Sequence, residues 1–290
     1  MTVLLAAWLA LASARAAEAA AAGAKTVSLP GAEIELKTAD GWTLKARYKA
    51  AEPGKATAVL LHGRGMRKEW WLRLARALTK AGYGFLAPDL RGHGESQTAP
   101  DGQTLHWRKM KATRHENDFE AMANDIQAVV ARLAQDTVAE ESIALIGQDV
   151  GGSVALKYAA VHPKISLLVM LSPGLKYQEV TTVNAMRAYK NRPVLLVYGE
   201  LDKTASREAP ILYQFAKLSV GEGRATVMAI PNLPGHKLLT SAVVRQIVDW
   251  LGNPLPPEPP QASSGTLDAD VSGPGVDENS GDAPALDDIR

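Results

Sequence analysis

The 290-residue sequence predicts an α/β fold, a mostly parallel, doubly wound sheet with a minimal lid. Two observations carry this. Continuous apolar runs of strand length alternate with stretches whose apolar residues recur at helical spacing, as parallel strands buried on both faces and joined by crossover helices require. At residues 143–156 an apolar strand breaks on Gly147 and restarts, after Gln148-Asp149, as a helix of small residues beginning Val150-Gly151-Gly152. A chain of this length is accommodated by one large core. That core is placed at residues 31–252, between two dispensable ends.

Composition narrows the function classes. The sequence has no cysteine, which excludes disulfides, thiolate metal sites and a cysteine nucleophile. Residues 253–290 hold eight acidic residues and a single base, Arg290, leaving 31 basic against 23 acidic residues elsewhere, a net of +8. Such an imbalance bears on solubility and weak association rather than on fold, and no clustered Lys/Arg motif points to nucleic acid. Residues 1–22 read as a secretory signal peptide, with an apolar core from Thr2 to Leu11 followed by small residues, so a secreted or periplasmic protein is expected, without stable membrane insertion once the leader is removed. From Asn253 onward proline, glycine, serine and acid predict a disordered tail, too poor in apolar surface to offset the entropy of ordering.

In chain order, residues 32–37 and 42–47 alternate apolar and polar residues around Ala39-Asp40-Gly41, predicting a hairpin. Residues 56–61 are a buried strand ending in His62-Gly63-Arg64-Gly65. Trp70, Trp71, Leu74, Ala75 and Leu78 lie at helical spacing and stop at Ala81-Gly82, a crossover helix. Its tryptophans fit a face packed on the sheet, with Trp70 as a weak substrate-contact candidate. Residues 84–88 lead into Asp89-Leu90-Arg91-Gly92-His93-Gly94-Glu95-Ser96, whose charges and glycines organise a loop at the sheet edge. The long loop at residues 97–115 carries Trp107, Arg108, Lys109, Lys111 and Arg114; these cations form a solvated surface or attract an anionic substrate. Phe119, Met122, Ile126, Val129, Val130 and Leu133 predict an amphipathic helix. Strands at residues 165–171 and 192–199 leave room between them for one short helix at residues 182–189, and Glu200-Leu201-Asp202 follows the second strand directly. A strand at residues 225–230, a loop containing His236 and a closing helix with Val243, Ile247, Trp250 and Leu251 complete the chain.

The strand-turn-helix at Gly147-Gln148-Asp149-Val150-Gly151 and the Asp89–Ser96 stretch resemble the G-x-S-x-G elbow and the D-x-R-G-H-G-x-S motif of the α/β-hydrolase superfamily. The centre of the elbow is Asp149 rather than serine, as in epoxide hydrolases and haloalkane dehalogenases, although the large helical cap of those groups has no room here. The resemblance implies an oxyanion hole made by the backbone N–H groups of Arg64 and Val150. It also implies a triad in chain order, with Asp149 as nucleophile, Asp202 as acid and His236 as base. His62 is then structural, because one triad histidine suffices.

A carboxylate attacking an ester carbonyl would form a mixed anhydride, whereas attack on an electrophilic sp³ carbon forms an alkyl ester that activated water can cleave. The expected function is a secreted hydrolase acting on a small organic molecule in that way, with no cofactor and no metal. A non-catalytic binding protein that lost its serine and an atypical esterase are the alternatives. Tyr177 and Tyr189, the tyrosines between the two strands, are weak candidates for substrate contact, and the oligomeric state is left open.

Overall fold

A computed structural model describes residues 28–254; the expected leader at residues 1–22 and the expected tail beyond residue 254 lie outside the described residues. Among the described residues ten strands run in chain order as β1 (Ala32–Lys37), β2 (Thr43–Lys49), β3 (Thr57–Leu61), β4 (Gly84–Pro88), β5 (Ile143–Gln148), β6 (Leu167–Leu171), β7 (Lys176–Tyr177), β8 (Val180–Thr181), β9 (Val194–Gly199) and β10 (Ala225–Ile230). Six α-helices are interleaved: α1 (Leu72–Lys80), α2 (Ala123–Gln135), α3 (Val150–Val161), α4 (Val183–Tyr189), α5 (Ala205–Val220) and α6 (Ser241–Gly252). Eight strands form one sheet in the order β1-β2-β4-β3-β5-β6-β9-β10. The antiparallel hairpin β1–β2 joins β4 antiparallel, and every pairing from β4 to β10 is parallel.

The apolar runs become strands because both of their faces are covered. In β3, Val59 and Leu61 join the core under α2 to α5, while Ala58 and Leu60 join the core under α1 and α6. β5 repeats this division, with Ile143 and Leu145 on one side and Ala144 and Ile146 on the other. Side chains of period two thus feed two helical layers, the arrangement of a doubly wound sheet. β3 lies between β4 and β5, so the chain leaves it in one direction and returns on the other side. Open α/β sheets form their binding crevice at the carboxyl ends of the strands at such a switch point. Here the loop after β3 and the turn after β5 flank it.

Buried ion pairs fix the loops at this edge. Asp89, at the end of β4, accepts hydrogen bonds from the backbone N–H of Lys68 (2.7 Å), Lys68 Nζ (2.8 Å) and the backbone N–H of Glu95 (2.9 Å). Lys68 also pairs with Glu95. Arg91 donates to Asp125 on α2 (2.8 Å) and to Asp40 in the β1–β2 turn (2.6 Å), and its guanidinium lies over Trp42. Gly94 packs against the Asp89 carboxylate so closely that a Cβ there would lie 2.2 Å from it. The charges and glycines of this stretch are therefore spent on tying three loops together.

Two elements went unread in the sequence. β7 and β8 form a two-residue hairpin through Gln178 and Glu179, both at positive φ (51° and 62°). The amide of Asn117 donates to the Gln178 carbonyl (2.8 Å), which fastens this hairpin to the long loop. α5 contains Pro210, a residue disfavoured inside helices, which argues against a helix despite the spacing of its buried residues Ala209, Leu212, Ala216 and Val220. The long loop also has order of its own, from bridges Thr98↔Thr104 and Ala112↔Asn117 and a 3₁₀ turn at Trp107–Lys109.

Candidate active site

Asp149 stands between β5 and α3 at φ 53° and ψ −124°, a conformation that non-glycine residues adopt only when the surroundings impose it. The surroundings do so through two glycines. A Cβ on Gly147 would lie 2.5 Å from the backbone of Gly152, and one on Gly151 would lie 2.4 Å from the carbonyl oxygens of Leu61 and His62. The turn is thus pressed against the end of β3, which carries the carboxylate of Asp149 to the loop His62-Gly63-Arg64-Gly65. Asp149 Oδ2 comes within 3.4 Å of where a Gly63 Cβ would be.

The Arg64 charge and the nearby backbone N–H groups of Arg64 and Val150 favour the ionised form of Asp149. Burial outweighs them, and with some help from the charge of Asp202 it pushes the Asp149 pKa up to about 6. The group is still mostly ionised at neutral pH.

His62 is fully buried, accepts the N–H of Leu90 at Nε2 (3.0 Å) and donates from Nδ1 to the Gly63 carbonyl (2.9 Å). Burial lowers its pKa, so the ring stays neutral and supports the loop. His93 is equally buried; burial and the neighbouring His62 push its pKa down to about 3.

Asp202 lies just past β9 and anchors α5, with Oδ1 accepting the N–H groups of Thr204 (3.1 Å) and Ala205 (3.0 Å). Oδ2 faces Gly235, where a Cβ would lie 2.1 Å away. His236 follows, and the structure sets it apart. In the 3₁₀ turn Gly235–Lys237 the buried residues are Gly235 and, one turn on, Leu238. Residues i and i+3 share a face of such a turn, so His236 and Lys237 project outward. His236 is exposed and lines a cleft of about 520 Å³ with Trp70, Arg73 and Lys237. Among the described residues it makes no hydrogen bond with Asp202 or Asp149. The structure therefore brings Asp149, Arg64, Val150 and Asp202 together and leaves His236 beside them, turned away.

The tyrosine candidates separate in the same way. Tyr177 is half-buried and donates to the Ser172 carbonyl (3.2 Å). Burial raises its pKa, as do the carboxylates of Asp149, Asp202 and Glu208, so its phenol keeps its proton near the elbow. Tyr189 is a correction to the expectation: it is buried away from the elbow under the Arg192 guanidinium (4.0 Å to the ring centre), and its hydroxyl is spent on the Pro193 carbonyl (2.9 Å). Trp70 is half-buried edge-on to Trp71 and faces the His236 cleft.

Three further residues belong to the neighbourhood. Ser172, after β6, is buried at φ 46° with no partner for its Oγ, which points at Gly235. Glu208 accepts the N–H of Leu175 (2.6 Å). Trp107 lies over Gly65, where a Cβ would be 2.9 Å from its ring. Only Trp107 carried a signal in the sequence, as the aromatic residue in the cationic loop. Among the described residues no cluster of three or more His, Cys, Asp or Glu is arranged to hold a metal ion, and no helix is long and apolar enough to cross a membrane.

Residues 52–201 match the family model described as serine aminopeptidase, S33. Among curated proteins, the AB hydrolase superfamily protein YisY of Bacillus subtilis is 28% identical over 39% of this chain and 36% of its own length. A 2-hydroxy-6-oxononadienedioate/2-hydroxy-6-oxononatrienedioate hydrolase of Paraburkholderia phymatum is 28% identical over 46% of this chain and 42% of its own. The chain thus spans less than half the length of these two relatives. Among solved structures, the dienelactone hydrolase of Anabaena variabilis superposes with a TM-score of 0.61 at 18% identity, covering 78% of this chain and 98% of that one. At that identity the likeness speaks for the fold.

Proposed function

We propose, since the chain belongs to the α/β-hydrolase family described as serine aminopeptidase, S33, that it is a hydrolase of small organic molecules whose nucleophile is the carboxylate of Asp149. The observation that carries this reading is the elbow: Asp149 is held in a strained turn beside the backbone N–H groups of Arg64 and Val150, which favour its ionised form. One oxygen of this carboxylate attacks an sp³ carbon. The carbon's bond to its leaving group breaks, the leaving group takes the electron pair, and an alkyl ester remains on Asp149. Water then adds to the ester carbonyl, the oxyanion forms against the same two N–H groups, and the alcohol departs as the carboxylate is restored.

The second step needs a base. His236 fills that role by turning from its cleft toward Asp202, which orients the imidazole. Tyr177 keeps its proton but donates it to the Ser172 carbonyl (3.2 Å), so it would protonate a leaving oxygen only after giving up that bond. The leader at residues 1–22 would carry the protein to a secreted or periplasmic location, which N-terminal sequencing of the mature chain would establish.

The test is His236→Gln. Substrates drawn from epoxides and alkyl halides should then stop at the first step, leaving added mass on the peptide that contains Asp149. Absence of any adduct, with wild-type protein inactive on the whole panel, would leave the second reading, a binding protein on a hydrolase scaffold. The outward placement of His236 is what favours that alternative. An atypical esterase is less well supported, because the mixed anhydride it requires is a poor intermediate.

A further inference from the structure

The rim of the elbow carries two arginines on one tryptophan, an arrangement the steps above do not use. Trp107 is fixed from three sides. Its backbone N–H donates to the Gly92 carbonyl (2.8 Å), its ring stacks nearly parallel to that of His93 (6.0 Å, 10°), and it covers Gly65 with no room for a Cβ beneath. The guanidinium groups of Arg64 and Arg108 lie 5.7 Å and 4.6 Å from the centre of its ring, and both residues are exposed.

Some nearby cations are paired, Lys111 with Glu116 and Lys68 with Asp89 and Glu95, while Lys109 and Arg114 of the same loop have no such partner among the described residues, but neither of those two lies over an aromatic ring. Among the described residues neither Arg64 nor Arg108 has a carboxylate within ion-pair distance. Two positive charges without a carboxylate partner thus flank one rigid aromatic ring, and an anion seated on that ring within reach of both would stabilise them. The backbone N–H of the same Arg64 lies beside the Asp149 carboxylate, so the rim adjoins the reacting group.

We propose that Arg64, Trp107 and Arg108 form the subsite for the carboxylate of an organic acid whose apolar chain lies on Trp107 and whose electrophilic carbon reaches Asp149. The inference rests on reading Asp149 as the reacting group. It adds that the substrate is an anion, and that the two arginines offset the repulsion between its charge and the nucleophile.

Binding is measured by titration calorimetry on the full chain carrying Asp149→Asn, which forms no ester. The probes are phenylacetate, 4-phenylbutanoate and octanoate, each paired with its uncharged amide. At least one carboxylate should bind ten-fold or more tightly than its amide, with the preference shrinking in 0.5 M NaCl. Arg64→Gln with Arg108→Gln should abolish the preference while leaving amide binding in place, because the backbone N–H of residue 64 is retained. Trp107→Leu should weaken acid and amide alike. Equal binding of acids and amides, no binding of any probe, or a preference that survives loss of both arginines would overturn the proposal. Turnover of neutral electrophiles by wild-type protein with no acid preference would refute the subsite alone; acid preference without turnover would refute the reaction alone.

Discussion

Replacing Asp149 with asparagine should stabilise the fold near neutral pH, and the gain should vanish in acid. Burial raises the Asp149 pKa from 3.8 to about 6. A shift of that size corresponds to about 3 kcal/mol of differential interaction between its protonated and ionised forms. The sign follows from linkage: a carboxyl whose folded pKa is raised favours the fold fully below its unfolded pKa, and that contribution is lost as pH rises through about 6. At pH 8 the wild-type chain therefore carries an ionised group that its site disfavours. Asparagine carries no charge, and its amide oxygen can still face the N–H groups of Arg64 and Val150. Because Asp149 is only partly buried, solvent screens some of the cost, and a gain of about 2 kcal/mol is the working figure. For a domain of this size that raises Tm by about 4–8 °C. The assay is thermal unfolding of both proteins from pH 4 to pH 8, with mass spectrometry to verify that the asparagine has not hydrolysed. A constant difference across that range, or a less stable variant at pH 8, would refute the electrostatic account of the elbow.

The same pKa governs the first chemical step. Alkylation of Asp149, followed as adduct formation in the His236→Gln variant, should be flat above about pH 7 and fall as pH drops through 6; a rate sustained to pH 4 would mean an unperturbed carboxyl. Asp125→Ala should destabilise the chain by about 3 kcal/mol, because Arg91 is left buried with only Asp40 as partner; a Tm fall of about 6–12 °C in a thermal melt checks this. Truncation after Gly252 should leave cooperative unfolding intact, since the described core closes with α6; loss of a single transition would place part of the core beyond that residue.

The fold was legible because its signals are local and redundant. β3, β5 and β9 are apolar runs that no exposed element could carry, and the elbow is marked by glycines whose removal would drive a Cβ into a neighbouring backbone. α5 was obscured by Pro210, and β7–β8 by having only two residues in each strand, too few for any period to register. For the candidate site, chain order could be read from the sequence but geometry could not. Asp149, Arg64, Val150 and Asp202 are positioned by strand ends and therefore follow from topology. His236 is positioned by which residues of a three-residue turn are buried, and the burial of Gly235 and Leu238 that turns it outward depends on packing from distant parts of the chain. The partnerless Oγ of Ser172 and the Trp107 platform arise the same way, from loops that meet only in three dimensions.

Whether His236 can reach the elbow is decided by Asp149→Ser. A serine in the same strained turn would place its hydroxyl where the carboxylate stands, and the N–H groups of Arg64 and Val150, relieved of the carboxylate, would become available to the oxygen of an ester carbonyl. The hydroxyl, unlike the carboxylate, must lose a proton to attack, so this variant reports directly on the base. If the turn carrying His236 swings toward Asp202, hydrolysis of p-nitrophenyl acetate should appear and should fall by about 10²-fold or more when His236→Gln is added, the range expected for a general base. If His236 stays in its cleft, the serine remains protonated and the added substitution changes nothing. The second outcome, together with no ester trapped on Asp149 in the His236→Gln variant, would mean that Asp202 serves to anchor α5 and that the elbow holds a ligand rather than transforming one.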